Sequence, residues 1–330
     1  MLNPLALLVL VVILALAFDF TNGFHDTANA IATSISTRVL SPLAAILMSS
    51  VLNFVGAFVG TAVATTIGKG IIDPAAVTQQ TVAAALLGAI SWNLITWYFG
   101  IPTSSSHALI AAIIGSAVEA SGFGVFNPAG LTTIFVSLLF SPIAGLIFGF
   151  VIMIALMWIF RRSSQSQVNG YFRHLQVLSA AFMAFSHGSN DAQKTMGVMT
   201  MALVSYGSLS TFQVPVWVIF IAAFSMALGT AAGGWKIIKT LGIRLVSLAP
   251  VNGFAAESAA ALVIQISTHF GAPVSTTHVI SSSIMGVGAS RRFSAVRWGV
   301  AGNILLAWVL TLPVAALLAF AFRFLLGLLT

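Results

Sequence analysis

Two octapeptides carry ionisable and amide side chains through otherwise apolar surroundings: Asn22-Gly23-Phe24-His25-Asp26-Thr27-Ala28-Asn29 and His187-Gly188-Ser189-Asn190-Asp191-Ala192-Gln193-Lys194. Laid over one another they align Phe20 with Phe185, Gly23 with Gly188 and Asp26 with Asp191, an offset equal to half the length of the chain. A carboxylate deep in an apolar segment costs a few kcal/mol on insertion scales, so it faces a cavity and has a task there. Asp26 and Asp191 at the same place in two copies suit cation capture. Asp is also a good N-cap, and Gly23 and Gly188 are expected to interrupt membrane helices where the break lines protein or water. His25 can titrate near neutral pH.

A second pair has a different chemistry. Gly100-Ile101-Pro102-Thr103-Ser104-Ser105-Ser106-His107 returns as Gly271-Ala272-Pro273-Val274-Ser275-Thr276-Thr277-His278, and the offset that pairs His107 with His278 also pairs Gly115 with Gly286. Pro is expected to stop the incoming helix, and three hydroxyl residues then fill the first turn of the outgoing one. Free backbone N–H groups, the positive end of the helix dipole and the added hydroxyl donors outline an anion site. One such turn is an ordinary cap; its duplication beside a duplicated Asp motif is specific.

Lys194 replaces Asn29 in the second copy. It either pairs with an anion or an aspartate inside the protein, or snorkels to the interface. Glu257, in Gly253-Phe254-Ala255-Ala256-Glu257-Ser258, lies inside an apolar run and meets Leu86 at the offset that pairs the hydroxyl turns. It reads as a coupling-ion or proton site, or as a hydrogen-bonded structural acid. Asp73 and Glu119 read as a loop and a segment end, and Asp19 as either an interfacial acid or one supporting the first motif. His107 and His278 are expected to satisfy neighbouring backbone. No histidines have zinc-site spacing.

The elements that must position these groups follow from composition. The chain is 59% hydrophobic and 6% charged, with a mean hydropathy of +1.06, whereas soluble chains are roughly a quarter charged. Runs long enough to span a bilayer occur from end to end, and Leu5 to Phe18 is expected to be retained as a span. The net charge of +7 is spread over short loops, a matter of topology and not of nucleic acid. The absence of cysteine excludes disulfides and thiolate chemistry. Periodicity gives separate segments at roughly 4 to 20 and 25 to 37, 127 to 140 and 142 to 160, and 174 to 186 and 191 to 205, among others.

Basic residues of short loops stay in the cytoplasm. Arg161, Arg162 and Arg173, then Lys236, Lys239 and Arg244, then Arg291, Arg292 and Arg297 therefore lie inside. The matching first-half loops differ: Lys69 to Asp73 is charge-balanced and Ser121 to Phe126 uncharged, while Arg38 meets an uncharged partner near Val204 to Gly207. The halves thus run in opposite senses. The expected fold is an all-α polytopic membrane protein of two inverted-topology repeats, with broken helices, re-entrant-type helical hairpins and about 10–12 membrane segments. Residues 1–160 form the first repeat, 161–173 a cytoplasmic linker and 174–330 the second repeat, with both termini extracellular or periplasmic.

These residues resemble the PiT family of inorganic phosphate transporters. Its Gly-Ala-Asn-Asp signatures are matched by Gly23 to Asp26 and Gly188 to Asp191, and its Pro-Val-Ser-Thr-Thr-His turns by residues 102–107 and 273–278; Phe172 to Gln176 and Gly234 through Glu257 also have the family look. The resemblance covers nearly the whole chain. It implies phosphate carried with Na⁺ or H⁺ across the cell (cytoplasmic) membrane, a site between the halves and a homodimer, with no catalytic residue and no resident cofactor or metal. His25 stands where the family has Asn, a carbonyl ligand suited to Na⁺, and Ser105-Ser106 where it has Thr-Thr.

On this reading phosphate binds Ser104, Ser105, Ser106, Ser275, Thr276 and Thr277, with Asn29 and Lys194 beside them. Asp26, Asp191, Asn22, His25, Asn190 and Glu257 hold the coupling ion, and Asp26, Asp191 and Asn190 would take Na⁺. The aspartates would repel a bare anion, so cations must sit between them. Sulfate fits the same turns, and a passive anion channel is a further alternative. Ser106-His107 invites thoughts of an enzyme, but adjacent helical positions do not face each other.

Overall fold

The computed structural model describes residues 3–73 and 77–328. Its helices fall into two series of six in the same order. The first series is α1 (Pro4–Ser36), α2 (Pro42–Gly56), α3 (Ala62–Gly70), α4 (Gln79–Phe99), α5 (Ser105–Ser121) and α6 (Pro128–Ile159). The second is α7 (Gln165–Tyr206), α8 (Val216–Ala232), α9 (Trp235–Lys239), α10 (Pro250–His269), α11 (Thr276–Arg291) and α12 (Trp298–Leu328). A single antiparallel bridge recurs in each: Ile72 with Phe126, and Val246 with Val296. Contacts between the series are reciprocal, with α1 on α8 and α7 on α2, α5 on α12 and α11 on α6.

The polarity of the molecule is that of a membrane protein. Large apolar side chains such as Leu139, Phe140, Leu306 and Val309 face outward, while Asp19, Asp26, Asp191, Lys194 and Glu257 are buried. Helices α1, α4, α6 and α12 are long and apolar enough to cross a bilayer alone; α8 and the following Trp235–Leu245 helix, bent by 63° at their junction, supply a fifth crossing if taken as one span. These are the crossings evident from length and composition alone among the described residues; the other helices are shorter or, like the 42-residue α7, carry much of the polar interior.

Three expectations are corrected. Gly23 and Gly188 interrupt nothing: α1 and α7 run straight through them. A Cβ at Gly23 would strike the Met226 carbonyl of α8, and one at Gly188 the Asn53 carbonyl of α2. Glycine here brings two backbones together, as small residues do in membrane helix packing, and the same contacts are completed by Gly229 against the Phe20 carbonyl and Gly56 against that of Phe185. Residues 127–160 are likewise the one helix α6 with Pro142 inside it, as α12 has Pro313. The polar stretch after α6 is a loop only to Ser164, whose side chain caps α7 in a capping box with Gln167, so residues 165–173 are helical.

Candidate functional site

Each hydroxyl turn joins two packed helices, α4 to α5 and α10 to α11. The incoming helix ends at a left-handed glycine, Gly100 or Gly271, each with φ 67°. Glycine, and not the expected proline, is therefore the stop, with Pro102 and Pro273 following two residues later as proline often does. Ser104 and Ser275 are the N-caps, accepting from the backbone N–H of His107 and His278 at 3.1 Å each. Pro102, Thr103 and Ser104, like Val274 and Ser275, are buried, which places irregular backbone where only protein surrounds it.

The two motif helices present their acids to these turns. Single ligand atoms of Asp26, His187 and Asp191 all lie within 4.8 Å of one another. Thr277 donates to Asp26 Oδ1 at 3.3 Å, and Thr276 to Asp191 Oδ2 at 3.2 Å. Asn29 donates its amide to both hydroxyls, at 3.2 Å to Thr276 and 2.9 Å to Thr277. The first turn of α11 is thus wedged between a carboxylate from each half. Lys194 is 1% exposed, far from any snorkelling position. Its Nζ donates to Asp191 Oδ1 and Ser106 Oγ, both at 2.5 Å, and to the Val274 carbonyl at 2.9 Å.

His25 Nδ1 is 2.6 Å from Asp26 Oδ1, and its Nε2 is 3.1 Å from Thr96 Oγ1 and 3.4 Å from Thr103 Oγ1. In the other copy Asn190 donates to Thr268 at 2.8 Å. The side-chain oxygens of Asn22, Asn29 and Asn190 and the hydroxyl of Ser105 are buried without a hydrogen-bond partner among the described residues. Orphaned carbonyl oxygens beside carboxylates suit a hard cation, which takes oxygen ligands.

Glu257 sits in a separate polar cluster on α10. Thr33 (2.5 Å), Ser34 (2.8 Å) and Gln176 (3.1 Å) donate to its Oε1, and Ser179 to its Oε2. His107 and His278 do not serve neighbouring backbone as expected. His107 Nδ1 meets Ser104 Oγ at 2.8 Å, the two rings pack with centroids 4.4 Å apart, and His278 stacks on Trp308 at 3.8 Å. The structure also brings to the site two residues that the motifs named without a role in binding. His187 contacts Asn53 (3.1 Å) and Asp191 (3.5 Å), and Asp19 is fully buried beside Thr195 of α7. Their sequence signal is polarity inside an apolar run, at or beside the two duplicated motifs.

The site is closed to solvent: His25, His187, Lys194, Thr276 and Thr277, which bond or pair with Asp26 or Asp191, are each at most 1% exposed. A cleft of about 180 Å³ is lined in part by Gln193 and Thr268, the latter being the partner of Asn190.

Comparison with known proteins agrees with this fold. A solved structure described as "The sodium-dependent phosphate transporter" superposes with a TM-score of 0.89, covering 98% of this chain and 100% of that one at 24% identity, and so has the same fold. A probable low-affinity inorganic phosphate transporter of Bacillus subtilis is 50% identical over 317 residues, 95% of each chain. Its namesake in Rhizobium meliloti is 47% identical over 315 residues, 95% of this chain and 94% of the relative. Residues 22–319, which contain both Asp motifs and both hydroxyl turns, match the profile of the Phosphate transporter family; this chain is a member of that family, a multi-pass membrane transporter and not an enzyme.

Proposed function

We propose that this protein imports inorganic phosphate by symport with a cation, Na⁺ or H⁺, through a site between its two halves. The observation that carries the reading is the pair of hydrogen bonds from Thr276 to Asp191 and from Thr277 to Asp26. Phosphate would bind at the first turns of α5 and α11, where N–H groups and hydroxyls converge. The donors it needs are engaged by the protein's own carboxylates. A cation on Asp26 competes for that carboxylate and releases Thr277 to the anion, so each ligand favours the other. Carboxylates and phosphate share a buried cavity only when cations stand between them.

The repeated order of elements and their reciprocal contacts support two inverted repeats, one half rocking against the other to alternate access. Ser105, whose hydroxyl is uncommitted, and Ser106 are the donors from α5; Ser104 and Ser275 act as caps that hold the turns. Asn22 and Asn190 offer carbonyl oxygens to the cation.

Labelled phosphate uptake into proteoliposomes under separately imposed Na⁺ and proton gradients tests this. Uptake that follows one gradient, saturates, resists excess sulfate and disappears in Asp26→Asn is expected. Non-saturating flux without a gradient would overturn the reading in favour of a channel, and full displacement by sulfate would make it a general oxyanion permease.

A further inference from the structure

Lys194 is the buried cation of the core that the duplication does not reproduce. At the offset that pairs Asp26 with Asp191 its place is taken by Asn29, yet what surrounds it does recur. Its ammonium is held by a carboxylate, a hydroxyl and a backbone carbonyl, those of Asp191, Ser106 and Val274. That oxygen set is one a hard cation would choose. The equivalent residues in the other half are Asp26, by alignment of the Asp motifs, and Thr277 and Thr103, by alignment of the hydroxyl turns. Asp26 Oδ1 and the Thr277 hydroxyl are already 3.3 Å apart, and Asn29 donates to that hydroxyl at 2.9 Å. The first half therefore has the acid and hydroxyl of the same cradle, with a neutral amide where the second half has a fixed positive charge.

We propose that the Lys194 ammonium is a tethered cation filling one of two equivalent cation cradles, so that phosphate travels with one mobile cation fewer than the duplicated architecture would bind, the remaining cradle being at Asp26. This rests on the symport reading above. Without the lysine, Asp191 would be a buried, uncompensated charge, which is strongly unfavourable, and a mobile cation would be recruited in its stead. The tether gives up one cation's share of the driving force. In return, filling of the second cradle does not depend on the surrounding salt.

The test is the number of cations moved per phosphate, read in proteoliposomes from the limiting accumulation ratio at fixed cation gradients with the membrane potential clamped to zero. Lys194→Asn, which installs the first-half residue, is expected to raise that number by one, so the limiting ratio is multiplied once more by the imposed gradient. An unchanged number in an active variant overturns the proposal. Should Lys194→Asn transport too slowly for the ratio to be read, Asp191→Asn/Lys194→Asn decides. Removing acid and ammonium together is expected to restore uptake above both single variants, with the wild-type number of cations. Uptake no better than in Lys194→Asn alone assigns the lysine to phosphate and overturns the proposal. Failure of the underlying reading is seen separately, as wild-type flux indifferent to every cation gradient.

Discussion

At the scale of single residues, the interior is governed by how its few charges are answered. Glu257 is answered only by neutral donors, Thr33, Ser34, Gln176 and Ser179. The first half has Leu86 at that place, fully buried in apolar contacts. Installing leucine at 257 would strand buried donors at about 1–3 kcal/mol each. Glu257→Leu should therefore melt well below wild type in detergent, with Glu257→Gln, which keeps one acceptor oxygen, in between; equal melting temperatures would refute that account. Asp26, Asp191, Glu257 and Lys194 stood out in the sequence as candidates because polarity inside apolar runs is conspicuous, and all four are buried. Their partners did not stand out. Lys194 could have faced a substrate or an aspartate; it lies on Asp191 one turn before it on α7, and Ser106 of α5 and the Val274 carbonyl complete its surroundings. Ser104 and Ser275 looked like anion donors but cap their helices, a role no spacing rule separates from binding.

At the scale of elements, glycine shows where sequence reasoning reached its limit. Gly23 and Gly188 read as breaks because glycine weakens a helix. In α1 and α7 they are contact points, since the missing side chain faces a carbonyl of the neighbouring helix. Both uses leave the same mark in one dimension. Gly188→Ala should cost about 1–3 kcal/mol by overpacking against α2. Gly302→Ala on α12, where an added methyl meets open space, should be neutral or slightly stabilising. Thermal unfolding of the two variants side by side checks this, and equal effects would contradict the close-contact role. The hydroxyl turns, by contrast, were placed within a residue or two, because a Gly-x-Pro followed by caps has few structural outcomes.

At the scale of the molecule, the all-helical membrane architecture was legible from hydropathy, and the duplication from the two pairs of motifs. Hydropathy is weaker on helices such as α7 that face the polar interior, because they lose the apolar signature of a span. The short helical turns at Phe123–Val125 and Phe293–Ala295 occupy corresponding places in the two halves, and Phe123 and Phe293 are 80% and 69% exposed. The chain has no cysteine, so single cysteines at these positions report orientation directly. With inverted repeats, Phe123→Cys should react with an impermeant thiol reagent on intact cells, and Phe293→Cys only after permeabilisation. Reaction of both from the same side would rule the inversion out.

The reciprocal packing has a consequence for biogenesis. Helix α5 rests on α12, which leaves the ribosome long after it, and the Trp308 indole of α12 donates to the Pro102 carbonyl in the first hydroxyl turn. The amino-terminal half is translated early, but α5 remains without its partner surface until α12 has emerged, with Asp26 and its neighbours already in the bilayer. Maturation is therefore a single late event shared by both halves, and truncation anywhere before α12 leaves a chain that the cell's quality control should treat as unassembled.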